Sequence, residues 1–313
     1  IIDVDVGVAL LIDRRFEQIW PKLERWASPD LSAQARVMVQ STRAMQMSSA
    51  AAIDHLQYIA ALEKAGQGLE AIAELEKFML ATDEVEDEYD RAMAVLNIAN
   101  LLVEFDRSAE AIERMRAQIS QSPEGIGTIN IYPNLVDHLI RSGEYSEALQ
   151  LLDNHTPQVD EVEHPATFGY YSALRACALQ GLGETSLARQ NLNQVQSKYG
   201  MNDNAVRIAV ACAGTVDEQA NLWIKEAKSD QHRASSLVGL AAAKYRAEYK
   251  MAVASLEEIM LRRLANHPKV QQVYDELARE LPEPFKPALV HFVNVKGRAE
   301  LLVPSPQQPQ PVA

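Results

Sequence analysis

Four stretches of this chain repeat one design: LEKAGQGLEAIAEL (62–75), VEFDRSAEAIERM (103–115), IRSGEYSEALQLL (140–152) and LQGLGETSLARQNL (179–192). Each runs from an apolar helix end through a short polar or glycine-containing turn into a new amphipathic helix. Each places an alanine at the same point, Ala71, Ala111, Ala148 and Ala188, spaced 37 to 40 residues apart. A small residue there lets the two helices of a hairpin approach closely. One hairpin cannot bury its apolar face alone, so such units must stack on their neighbours. Weaker copies pivot on Ala220 and Ala252, and an N-terminal copy, IDRRFEQIWPKLERW, pivots on Ile19. Residues 31–48 read as an extra helix or as part of a long first helix. The expectation is an all-α chain of about six to seven helical hairpins.

The charge sits unevenly on this array. The formal net charge is −13, and residues 230–313 carry a slight positive excess, so the deficit lies wholly before residue 230. An acidic chain of this kind is not expected to bind nucleic acid or an anionic membrane. No apolar stretch of about 18 residues is free of charge, so no transmembrane segment is expected. The chain begins at Ile1 rather than Met, and cytoplasm, periplasm and a secreted location all stay open. Cys177 and Cys212 both lie in alanine-rich helical runs and are expected to pack as buried thiols rather than to pair.

The repeats resemble the tetratricopeptide repeat, a helix–turn–helix of about 34 residues. Residues 129–154 carry the best copy, in which Leu135, Gly143, Tyr145, Ala148, Leu149 and Leu152 match the consensus types or close substitutes. Ala99, Leu102, Ala111 and Ile112 match in the preceding copy, and Leu62, Gly66, Ala71 and Ile72 in the one before it. The likeness spans roughly residues 1–265 and implies a right-handed α-α superhelix. The array is expected to occupy residues 1–281, with 268–280 as a polar capping helix. Pro282, Pro284 and Pro287 then open a C-terminal extension, 282–313. Within it residues 288–303 read either as a short β-hairpin or as irregular structure, ahead of an extended proline-containing tail.

No catalytic constellation stands out. The chain has no G-x-S-x-G, H-E-x-x-H or phosphate-binding lysine loop, and GLGETS (181–186) reads as a helix stop. The seven histidines are scattered without carboxylate or cysteine at ligand spacing, so no metal and no cofactor is expected. The acidic run Asp83, Glu84, Glu86, Asp87, Glu88 and Asp90 has two readings. It is a solvated loop whose acids favour the next helix N-terminus, or a docking patch for a basic partner.

The resemblance points instead to a groove. In the family the first helices of the hairpins line a concave surface that holds peptides. The repeat register places Gln57, Asn97, Asn100, Asn130, Asn134, Asp137, Arg141 and Tyr170 there. Asparagine amides both donate and accept, so they can grip a peptide backbone without reading its side chains. Their other reading is that they bridge their own helices. The family's carboxylate-clamp variety needs cations in the next repeat, where this chain has Tyr170 and Leu174, so a clamp is not expected. The sequence therefore implies a non-catalytic scaffold for a protein or peptide partner, basic or amphipathic in character. A structural subunit of a larger assembly, docking through its convex face or the C-terminal extension, is the alternative, and a helical-toroid enzyme the remote one.

Overall fold

The computed structural model describes residues 4–26, 39–43, 52–64, 67–81, 88–121, 128–155, 165–251, 253, 255–282 and 286. Among these residues every regular element is helical, as expected of an all-α chain. No described helix is long and apolar enough to cross a membrane. The hairpin expected over 288–303 and the tail lie outside the described residues, as do most of 31–48 and the pivot Ala252. The chain divides into two compact units, one built from residues 1–84 with 274–313 and the other from 85–273.

In the first unit α1 (Val4–Ile12), a 3-10 turn (Arg14–Ile19) and α2 (Trp20–Trp26) precede α3 (Ala52–Lys64) and α4 (Gly68–Ala81). Ile19, the expected pivot of a hairpin, is 39% exposed at the end of the 3-10 turn. The buried Asp13 carboxylate accepts the Arg15 N–H at 2.9 Å and caps that turn. Pro21 has no N–H to donate backwards, so the chain starts a new helix here instead of continuing one. Arg279 anchors the end of the described chain to this hairpin. Its Nε donates to the Leu11 carbonyl at 2.7 Å, its Nη2 meets Glu24 at 2.8 Å, and its guanidinium lies 3.8 Å from the Trp20 ring centroid. A bridge between Asp13 and Ala278 completes the contact.

The second unit holds α5 (Glu88–Glu104), α6 (Ser108–Gln121), α7 (Thr128–Arg141), α8 (Tyr145–Asn154), α9 (Pro165–Gly181) and α10 (Thr185–Lys198). After them come α11 (Asp203–Ala213), α12 (Val216–Lys228), α13 (Arg233–Glu248) and α14 (Leu256–Leu264). The last helix, α15 (Pro268–Leu277), where the sequence placed a cap, spans the boundary between the units. Through α11 each helix packs on the next, and the first helices α5, α7, α9 and α11 lie side by side. The alanine pivots Ala111, Ala148, Ala188 and Ala220 sit inside this stack at 0% exposure, and Ala71 in the first unit is also 0% exposed. A side chain larger than alanine would find no room there.

The turns share one hydrogen-bond pattern. At the end of α7, Glu144 N donates to Leu139 O and Gly143 N to Ile140 O. At the end of α9, Glu184 N donates to Leu179 O and Gly183 N to Gln180 O. Gly143 (φ 82°) and Gly183 (φ 81°) supply the left-handed residue that this C-cap requires. Asp106 takes the same role after α5 with φ 60°, and Lys250 after α13 with φ 53°. In the first three cases the second helix begins two residues after the left-handed position. After Lys250 it does not, and α14 waits until Leu256. The regular alternation ends at this point: besides α9, α10 and α12, α11 packs against α14.

The cysteines correct the sequence reading. Cys177 on α9 and Cys212 on α11 form a disulfide with Cα atoms 4.9 Å apart. The cause is the close approach of two alanine-rich first helices, with Ala173, Ala176, Ala205 and Ala209 all at 0% exposure. A Cβ placed on Gly169 would come within 2.9 Å of the Tyr199 side chain, which shows how tightly the α9–α11 region closes.

Candidate functional site

The sequence-nominated residues of α7 form one stripe. Asn130, Asn134, Asp137 and Arg141 follow each other at the three- and four-residue steps that share a helix face. On α5, Asn97 and Asn100 lead along the helix to Glu104. Asn100 is exposed and Asn97, Asn130 and Asn134 are half-buried. The Asn134 amide donates to the Asn130 carbonyl at 2.7 Å, which spends one of its two N–H groups inside its own helix. The other N–H and the carbonyl oxygen keep the amide's reading capacity. Gln57 is exposed on α3, in the first unit. Of the acidic run, Asp83, Glu84, Glu86 and Asp87 lie outside the described residues. Glu88 and Asp90 sit in the first turn of α5, and their side chains are likewise outside the description.

The C-terminal half of this face is covered by the chain itself. The Arg141 guanidinium pairs with Asp137 at 2.7 Å and reaches the carbonyl of Val253, beyond α13, at 3.4 Å. Glu104, at the end of α5, meets Arg246 of α13 at 2.9 Å, and the side chains of both are only 8% exposed. Arg246 also reaches Glu258 at 3.2 Å, and Glu258 is held in turn by Arg262 at 2.8 Å. Glu257 takes Arg207 of α11 at 2.8 Å, with Glu226 as that arginine's second partner at 3.4 Å. The start of α14 is thereby fixed against α11, and the end of α13 against α5.

Burial sets the electrostatics of this cluster. It pushes the carboxyls of Glu104 and Asp137 up, and the neighbouring arginines, Arg246 and Arg141, only partly oppose that. The Tyr170 hydroxyl is likewise pushed up, first by burial and then by the negative charges of Asp137 and Glu257. Desolvation exceeding ion pairing is the usual balance for charges taken out of water. His138, buried on α7, is depressed to about 3 by burial with help from Arg141, so it stays neutral at physiological pH. His155 stacks on the Tyr132 ring at 3.8 Å. Among the described residues no group of three or more His, Cys, Asp or Glu could hold a metal ion.

Of the nominated residues, Asp137 and Arg141 pair with each other, and Tyr170 lies within the electrostatic reach of both. Sequence reasoning missed Glu104, Arg207, Arg246, Glu257 and Glu258. Their one signal was several charged residues in helices whose neighbours are apolar, in the least regular of the repeat copies. What remains available on this face is the amide row, with Asn100 the most exposed member. No protein-family model, no curated protein and no solved structure matches this chain.

Proposed function

We propose that the chain is a non-catalytic interaction scaffold of the tetratricopeptide-repeat kind. In this reading the hairpins wind as a right-handed α-α superhelix, and the first helices present a concave surface to a protein or peptide partner. The observation that supports it most is the row of amides on α5 and α7, solvent-accessible along a face built from stacked hairpins. A stack of helical pairs offers a long continuous surface, and amides on it can pair with any extended backbone.

The test is capture of partners from the native source by wild-type chain and by an Asn100→Ala, Asn134→Ala variant. Each lost backbone hydrogen bond is worth about 1 kcal/mol, so the double variant should bind about 10- to 30-fold more weakly. Neither residue is buried, so the melting temperature should not move. Unchanged capture, or capture lost only together with the fold, would remove the amide row as the binding surface.

A further inference from the structure

The pivot alanines give the first helices a common register. Asn97 stands fourteen residues before Ala111, and Asn134 fourteen before Ala148. Two neighbouring repeats therefore carry the same amide at the same point of their first helices, and both side chains are half-buried. In the next two repeats that point holds Leu174 and Val206. There the chain packs on itself: Leu174 is 0% exposed, and α14 lies on α11. The change from amide to apolar side chain thus follows the covering of the face.

The interval between the two amides selects a backbone shape. α5 and α7 lie side by side, and packed helices run about 8–10 Å apart. A ligand that crosses them meets one amide per helix, so its backbone groups must recur at that interval. A polyproline II helix has three residues per turn at about 3.1 Å each, and so repeats every ~9 Å. A β-strand repeats every two residues, about 6.6–6.8 Å, and its third residue points to the opposite face. The amide interval matches the first and not the second.

The donors agree with this choice. A polyproline II backbone makes no internal hydrogen bonds and proline has no N–H, so such a ligand presents mainly carbonyls. The Asn97 and Asn100 amides donate to nothing among the described residues, and Asn134 keeps one N–H after its bond to Asn130. The charges alongside are paired, Asp137 with Arg141 and Glu104 with Arg246, which suits a neutral ligand. Tyr170 stands on α9 where Asn130 stands on α7, each eighteen residues before its pivot. Aromatic rings are the usual seat of proline in this conformation.

We propose that the amide row takes a proline-rich segment of a partner protein in the polyproline II conformation. The segment crosses α5 and α7 with one turn per helix, and its carbonyls accept from Asn97 and Asn134. This deepens the scaffold reading and rests on it.

Peptide titrations on the full chain test it. The probes are end-blocked, labelled nonapeptides: three Pro-Gln-Gln units, three Gly-Gln-Gln units, and an alternating Thr-Gln sequence that favours a strand. The proline peptide should bind at least about 10-fold more tightly than the glycine peptide, because its backbone loses less freedom on binding. Asn97→Ala and Asn134→Ala should each weaken it about 5-fold, the loss of one hydrogen bond. No binding of the proline peptide, equal binding of the glycine peptide, or tighter binding of the alternating one overturns the proposal. So does an affinity for the proline peptide that neither substitution changes. The comparison of the three peptides on wild type decides even where a variant does not fold. Failure here, with capture still lost in the Asn100→Ala, Asn134→Ala variant, removes the polyproline II ligand alone. Capture unaffected by that variant removes the amide surface itself.

Discussion

Replacing Arg246 by methionine should lower the stability of the folded chain by about 3–5 kcal/mol, the usual cost of stranding a buried countercharge. Arg246 pairs with Glu104, a carboxylate at 8% exposure, and it also reaches Glu258. Glu258 keeps Arg262, so the loss falls mainly on Glu104. The loss should depend on pH in a definite direction. Burial already raises the Glu104 carboxyl above its ordinary 4.5 despite Arg246, and removing the guanidinium raises it further. A carboxyl that holds its proton more tightly when folded stabilises the fold below its unfolded-state value. That contribution is lost as the pH rises through the folded-state value. The Arg246→Met deficit should therefore be greatest at neutral pH and shrink on acidification toward 4.5. Denaturant midpoints at two pH values check this. A deficit independent of pH would mean that Glu104 is not the group left behind.

Breaking the Cys177–Cys212 bond should cost about 3–4 kcal/mol, because it closes a loop of 35 residues whose release enlarges the unfolded ensemble. Both cysteines of the chain are in this bond. A Cys177→Ser, Cys212→Ser variant and wild type with added reductant should shift their unfolding midpoints by the same amount. No shift with reductant would mean that the thiols are free in solution. A bond of this type persists in oxidising compartments, so thiol trapping of the chain from its native source reads the compartment at the same time.

The hairpin stack was legible because its signal is local. A small residue at a fixed point after a turn dictates close approach whatever surrounds it, and each described alanine pivot is fully buried. The turns were legible for the same reason, since glycine at Gly143 and Gly183 answers a backbone need. Ile19 failed because hydrophobic spacing alone does not distinguish a continuous helix from one restarted at Pro21. The disulfide was missed although its spacing is close to one repeat, which sets the two cysteines at matching points of neighbouring first helices. Local composition favoured thiols, and the pairing depended on the distance between helices. The return of α13 and α14 onto α5, α7 and α11 is less legible still. It rests on ion pairs such as Arg246–Glu104, 142 residues apart, and no periodicity encodes a contact between charges that far separated. The asparagines illustrate the remaining gap: position on a face was readable, but the Asn134 bond to its own helix was not.

The central claim is that the end of α13 folds back onto the end of α5 and covers that half of the first-helix face. A double-mutant cycle on Glu104→Gln and Arg246→Met, read as unfolding free energies, tests it most directly. If the two side chains are the buried pair described, their coupling should be about 1.5–3 kcal/mol, in the range of contacting charged groups. Additive effects within about 0.5 kcal/mol, the behaviour of residues with no shared contact, would contradict the fold-back and return the whole face to solvent.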